Sequence, residues 1–236
     1  MNTLTRRSPR EVAGLPPSTR RSIRAEDRRA GLSLLAAIVA VMWVVEIINS
    51  LDGDALSHDG IYARNVDRLW GIFTSPFIHA SFTHLFDNTI PFVFLGAIIA
   101  LRGAARLAFI TGFVIVLGGL GTWLISPSTA TIGGLTVHPD TIGASGVVFG
   151  YAGYLLARGF FDRRVLELLI GAIVAVIWGA ALLSSLVPQH GISWQAHLCG
   201  GIAGVLAAWI LSARDGRRRR ARGRGAGKPA AAPVTL

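Results

Sequence analysis

The sequence predicts an all-α membrane protein, a polytopic bundle of six transmembrane helices, on three observations. Of 236 residues, 52% are hydrophobic and 15% charged, and the mean hydropathy of +0.53 is too apolar for an ordinary soluble domain of that size. The formal net charge is +10, yet Lys and Arg crowd the two ends while the middle consists of long uncharged runs. That pattern points to a membrane before it points to nucleic acid. Six runs approach the roughly 20 apolar residues that a spanning helix needs.

The first run, 31–49, follows a leader of residues 1–30 that carries eight arginines and reads as disordered. No small-residue cleavage site follows this run, since Ile48, Asn49, Ser50, Leu51 and Asp52 come next, so it reads as a retained anchor. Arg6-Arg7 lies too far from the apolar stretch for a twin-arginine signal and reads as part of a basic cytoplasmic leader. The connection 50–78 carries Tyr62, Trp70, Phe73 and Phe77, which suit a segment partly embedded at the interface. The second and third spans are 79–101 and 107–125. The fourth, 145–158, is short: about fourteen residues rise only about 21 Å, so it begins below the membrane surface with other helices around it. The fifth is 165–187 and the sixth 193–212. These spans form one helical domain, 31–212, and the tail 213–236 reads as a second disordered basic segment. Its arginine run 217–220 suits anionic lipid better than nucleic acid, and no nucleic-acid partner is expected. A single cysteine, Cys199, excludes an internal disulfide framework and reads as packing.

Orientation follows from the cationic loops, which stay cytoplasmic. Leader, second-to-third connection, fourth-to-fifth connection and tail hold 21 of the 23 Lys and Arg residues, and the opposite side holds only Arg64 and Arg68. Both termini are therefore expected in the cytoplasm, as an even number of spans requires, in a plasma-membrane protein.

Polar groups inside spans are costly and mark the place to look for chemistry. His84 and Asn88 on the second span, Ser145 opening the fourth and His197 on the sixth all lie in the first turns of spans that run inward. They are expected to converge on one outward-facing pocket. Gly146, Gly150 and Gly153 share a face of the fourth span, and His197, Gly200, Gly201 and Gly204 share a face of the sixth. Small residues let backbones approach closely, so this contact would bring the Ser145 hydroxyl to the His197 imidazole. Taken singly, each signal has a packing reading. Their agreement in depth and face favours function.

A serine hydroxyl becomes a nucleophile when a base in hydrogen-bond reach takes its proton, and His197 could do so and return the proton to a leaving amine. A third, orienting carboxylate is not apparent: Asp87, Asp140 and Glu46 each read as solvated or structural. The Ser145 N–H, with His84 and Asn88 side chains, would meet a developing oxyanion. No cofactor or metal is expected, because no cluster has ligand spacing.

These residues resemble the rhomboid family of intramembrane serine proteases. The resemblance rests on Gly143-Ala144-Ser145-Gly146, on Ala196-His197 followed by Gly200 and Gly204, and on His79, His84 and Asn88 at the spacing of the family's second-helix motif, in family order over residues 70–204. It implies a six-helix fold, Ser145 and His197 as the catalytic dyad, His84 and Asn88 as oxyanion contributors, and His79 as a structural histidine. Two positions depart from the family pattern. Trp70 is followed by Gly71 where many members have arginine, and Phe149 replaces a tyrosine stacked beneath the histidine.

The expected activity is hydrolysis of a peptide bond near the outer end of a membrane protein's spanning segment, through an acyl-enzyme on Ser145. The loop Pro188 to Trp194 reads equally as a cap over the site and as an interfacial anchor. The rivals are a non-catalytic rhomboid-like protein that binds membrane helices and, behind it, a small transporter. Retention of Ser145 with His197 argues against the first, and the mostly apolar inner halves of the spans against the second.

Overall fold

The computed structural model describes residues 15–162, 164–189 and 191–226. A chain without water around it must satisfy its own backbone, and each apolar run does so as a helix. These are α1 Pro17–Leu51, α2 Phe82–Ala100, α3 Ala104–Ile125, α4 Ser145–Asp162, α5 Val165–Ser184 and α6 Trp194–Ala226. All but α4 are long and apolar enough to cross a membrane by length and composition. The 18-residue α4 is glycine-rich and sits at the centre of the bundle, with half of its residues buried, as expected for a short helix enclosed by the others.

The ends of the bundle differ from expectation. Residues 17–30, read as disordered, continue α1, and α6 runs through the tail to Ala226. Once an apolar run has nucleated a helix, Arg- and Ala-rich sequence extends it at little cost. Pro17 opens α1 where its fixed φ suits a helix start, and the Arg20 Nε donates to the Leu15 carbonyl at 2.8 Å. Residues 1–14, with Arg6-Arg7, and residues 227–236 lie outside the described residues.

Leu85, Phe92, Leu95, Ile99, Leu107 and Ile110 from α2 and α3 pack with Tyr151, Tyr154 and Leu155 of α4 into one core. Large apolar side chains also cover the outside, for example Val176 at 85% exposure and Leu183 at 69%, as suits a surface that faces lipid. At the end of the bundle where α2 meets α3, Arg102 Nη1 donates to Glu167 Oε1 at 2.6 Å, and Arg106 pairs with Asp215 at 2.9 Å. The buried Arg158 pairs there with Asp162 at 2.7 Å, so the network ties α4, α5 and α6 to the α2–α3 connection.

The opposite end holds the long connections, and these contain strands that sequence reading did not foresee. β1, Ile61–Tyr62, pairs antiparallel with β4, Asp140–Thr141, in the register Ile61↔Thr141 and Tyr62↔Asp140. β2, Ala130–Ile132, and β3, Leu135–Val137, form a hairpin. The connection 52–81 coils in single helical turns over the ends of α1 and α3, and Ile72 seats against Gly119.

Candidate active site

The starts of α2, α4 and α6 lie at one end of the bundle, and there the expected site residues meet. His197 Nε2 is 2.9 Å from Ser145 Oγ. Glycine brings them together: a methyl group on Gly200 would collide with the Gly146 carbonyl, and one on Gly204 with the Gly150 carbonyl. With no side chain between them, α4 and α6 touch backbone to backbone along the face the glycine spacing indicated. Phe149 lies flat on the imidazole, with ring centroids 4.1 Å apart and planes 3° from parallel. The stacking therefore does not need the tyrosine hydroxyl.

One tautomer of the imidazole satisfies both of its contacts. His197 Nδ1 lies 2.9 Å from the Ser185 carbonyl, which only accepts, so Nδ1 carries the hydrogen. The lone pair of a neutral ring then points from Nε2 at the Ser145 hydroxyl, the arrangement a general base requires. None of the three carboxylates considered from sequence is hydrogen-bonded to His197 among the described residues. Asp87 is exposed, Glu46 is buried on α1 rather than solvated, and Asp140 Oδ2 accepts from the Gly60 N–H at 3.3 Å. Burial raises the Asp140 carboxyl above its ordinary value.

His84 and Asn88, the expected oxyanion contributors, lie against the turn before α4. Gly143 has φ +109°, which side-chain-bearing residues rarely adopt, and a Cβ there would sit 2.9 Å from His84 Nε2. His84 Nδ1 accepts the Ala80 N–H at 3.4 Å, which leaves Nε2 as the donor facing the Gly143 backbone. Asn88 Nδ2 donates to the His84 carbonyl at 3.0 Å, and its second N–H remains for a ligand. The first N–H groups of α4 have no intrahelical partner and are further donors. Ser145 and His84 are half-buried while His197 and Asn88 are buried. A cavity of ≈ 30 Å³ lies behind the turn before α4, lined mainly by apolar side chains such as Ile72, Val114 and Val147 with Ser75, Thr122 and Thr141 as its polar members, and neither Ser145 nor His197 lines it.

His79 supports this turn from below. It is fully buried, and its Nε2 accepts the Ala144 N–H at 3.3 Å, one residue before the serine. Burial, with the neighbouring His84 adding to it, pushes its pKa down to about 4, so the ring stays a neutral acceptor. Asn49, which sequence reading passed over, holds the same region: it accepts the Leu56 N–H at 2.9 Å and donates to Ser57 Oγ at 3.0 Å. A lone Asn at the end of an apolar run was the available signal. Gly71 also finds its explanation, because a Cβ there would strike the Gly60 carbonyl. Arg68 orders this loop instead, with its guanidinium 5.0 Å from the Trp70 ring, 4.6 Å from the Tyr62 ring and 2.9 Å from Asp59. Among the described residues, no group of three or more His, Cys, Asp or Glu side chains converges in a way that could hold a metal ion.

Comparison with known proteins agrees with this architecture. A family model of the Rhomboid domain matches residues 66–214, a stretch that contains all four site residues. An uncharacterised protein of Mycobacterium tuberculosis strain H37Rv is 39% identical over 206 residues, 86% of this chain and 84% of that protein. One from Mycobacterium leprae is 37% identical over 224 residues, 94% of this chain and 87% of that protein. YdcA of Bacillus subtilis, named as a candidate rhomboid protease, is 26% identical over 192 residues, 79% of this chain and 91% of that protein. With the family's domain covering the paired serine and histidine inside a six-helix bundle, this integral multi-pass membrane protein belongs to the rhomboid family of intramembrane serine proteases.

Proposed function

We propose that this chain is an active intramembrane serine endopeptidase that cuts membrane-protein substrates near the outer end of a spanning segment. The observation that carries this reading is the 2.9 Å approach of His197 Nε2 to Ser145 Oγ, with the Nδ1 proton fixed on the far side of the ring. In acylation, Ser145 Oγ attacks the scissile carbonyl carbon while its proton passes to His197 Nε2. The negative charge on the carbonyl oxygen is met by donors from His84, Asn88 and the start of α4. Collapse of this intermediate breaks the C–N bond, and His197 gives its proton to the leaving amine. Water then attacks the acyl carbon, with His197 taking its proton and returning it to Ser145 Oγ as the acid product leaves.

The distribution of Lys and Arg supports a plasma-membrane orientation with both termini in the cytoplasm and the site opening outward. The basic ends of the chain would then be drawn to anionic lipid.

A serine-directed fluorophosphonate tests the reading against a non-catalytic membrane-helix-binding relative. The folded protein is expected to form an adduct on Ser145 that the Ser145→Ala and His197→Ala variants do not form. A folded protein that stays unlabelled under conditions in which a known serine protease reacts would favour the non-catalytic relative.

A further inference from the structure

The group that orients the base sits on a helix the chemistry does not otherwise use. Ser185 is the residue that closes α5, with φ −76° and ψ −5°, and its N–H donates to the Ala181 carbonyl. Its own carbonyl is one of those that a helix C-terminus leaves without an intrahelical partner, and it accepts from His197 Nδ1 at 2.9 Å. The C-terminal end of a helix also carries partial negative charge, which favours a nearby cation. Aimed at Nδ1, this end of α5 selects the tautomer and supports the imidazolium that forms when Nε2 takes the serine proton. Those are the two tasks of the carboxylate that the sequence lacks.

The mounting of α5 makes this arrangement conditional. Its buried residues, Glu167, Gly171 and Val174, all lie in the half away from the site, where Arg102 and Arg158 hold Glu167. Toward the site, Ser184 and Ser185 hydroxyls bond to Ala181, and Gln189 Nε2 bonds to Ser184, all within the same segment. Among the described residues, the His197 bond is the one side-chain hydrogen bond that joins this end of α5 to another helix. Packing adds the Phe94–Trp178 ring contact, with centroids 4.6 Å apart.

We propose that the Ser185 backbone carbonyl is the third member of the site, a positioning group that fixes the proton of His197 on Nδ1, so that the base is competent only while the site end of α5 holds this carbonyl against the ring. The proposal rests on the protease reading. Ser185 is not itself catalytic, since it acts through His197.

The test uses the full chain in detergent micelles, labelled with ¹⁵N-histidine, beside Leu186→Pro and Leu186→Ala. A proline at 186 disfavours the helical conformation of Ser185 and so turns its carbonyl away, whereas alanine leaves it in place. In the wild type, the neutral His197 is expected to carry its proton on Nδ1. In Leu186→Pro this preference is expected to be lost and kcat to fall about 10 to 100-fold with KM little changed, while Leu186→Ala keeps both. A wild-type ring protonated on Nε2 overturns the proposal, as does a folded Leu186→Pro protein with unchanged tautomer and kcat. Should Leu186→Pro fail to fold, the wild-type tautomer decides alone. If no variant and no wild type cleaves substrate, the protease reading falls, but the tautomer still reports on the Ser185 contact.

Discussion

At the scale of single residues, the site is a set of tautomers fixed by acceptors and donors. His197 is protonated on Nδ1 because the Ser185 carbonyl accepts, His84 on Nε2 because its Nδ1 accepts from Ala80, and His79 offers Nε2 to Ala144. Three histidines thus hold three different places in one site. Ser145→Ala and His197→Ala are expected to abolish cleavage while leaving the thermal melting temperature within a few degrees of wild type, since neither empties a large apolar volume. His84→Ala and Asn88→Ala each remove one of several donors and are expected to lower kcat by about 100 to 1,000-fold or less, measured as single-turnover cleavage. His79 has a folded pKa depressed from its ordinary 6.5 to about 4. Its stability contribution is therefore full above the ordinary histidine range and is lost as pH falls through that interval. Melting in detergent is expected to drop from pH 7 to pH 4 in the wild type and to drop less in His79→Gln. An equal drop in both would contradict a buried neutral ring. The pairing of Ser145 with His197 was legible in the sequence because serine and histidine announce their chemistry by type. The Ser185 carbonyl was not, since every residue owns a carbonyl and only the fold says which one meets His197.

At the scale of the elements, α4 and α6 form the axis on which the site depends. Their glycines were readable as two helical faces, and the structure seats Gly146 on Gly200 and Gly150 on Gly204. Gly204→Val is expected to force the two backbones apart, lowering the melting temperature and separating His197 from Ser145 so that fluorophosphonate labelling is lost. Gly216→Val, where a Cβ meets open space, is expected to keep the labelling. Normal labelling in Gly204→Val would show that the close approach is dispensable. The helices themselves were visible as apolar runs, with boundaries shifted chiefly at the termini. The strands of the outer connections were not, because Ile61–Tyr62 and Asp140–Thr141 are two residues each and exist only by pairing across the fold. Likewise the loop-ordering role of Arg68 emerges from its position over Trp70 and Tyr62, which no local pattern encodes.

At the scale of the whole molecule, the bundle is braced differently at its two ends. One end is locked by Arg102, Arg106 and Arg158 with Glu167, Asp162 and Asp215, and the other carries the site beneath the long connections and their strand pairs. Removing one partner of a buried charge network leaves the others without compensation, so Glu167→Gln is expected to destabilise the fold by about 3 to 5 kcal/mol, read from denaturant unfolding in micelles. A change below about 1 kcal/mol would place Arg102 and Arg158 in solvent contact rather than in a dry network. Ser145 and His197 meet at the end of the bundle away from these arginines, and the distribution of Lys and Arg is an independent support for the proposed orientation in which that end faces outward. On the proposed reading, that end is where water and a locally unwound substrate would reach Ser145. The most direct measurement is cleavage of a model single-span protein by the purified chain beside its Ser145→Ala variant, with product masses locating the cut. The account predicts two products from a bond near the outer end of the span, formed by the wild type alone; equal cleavage by Ser145→Ala would contradict it.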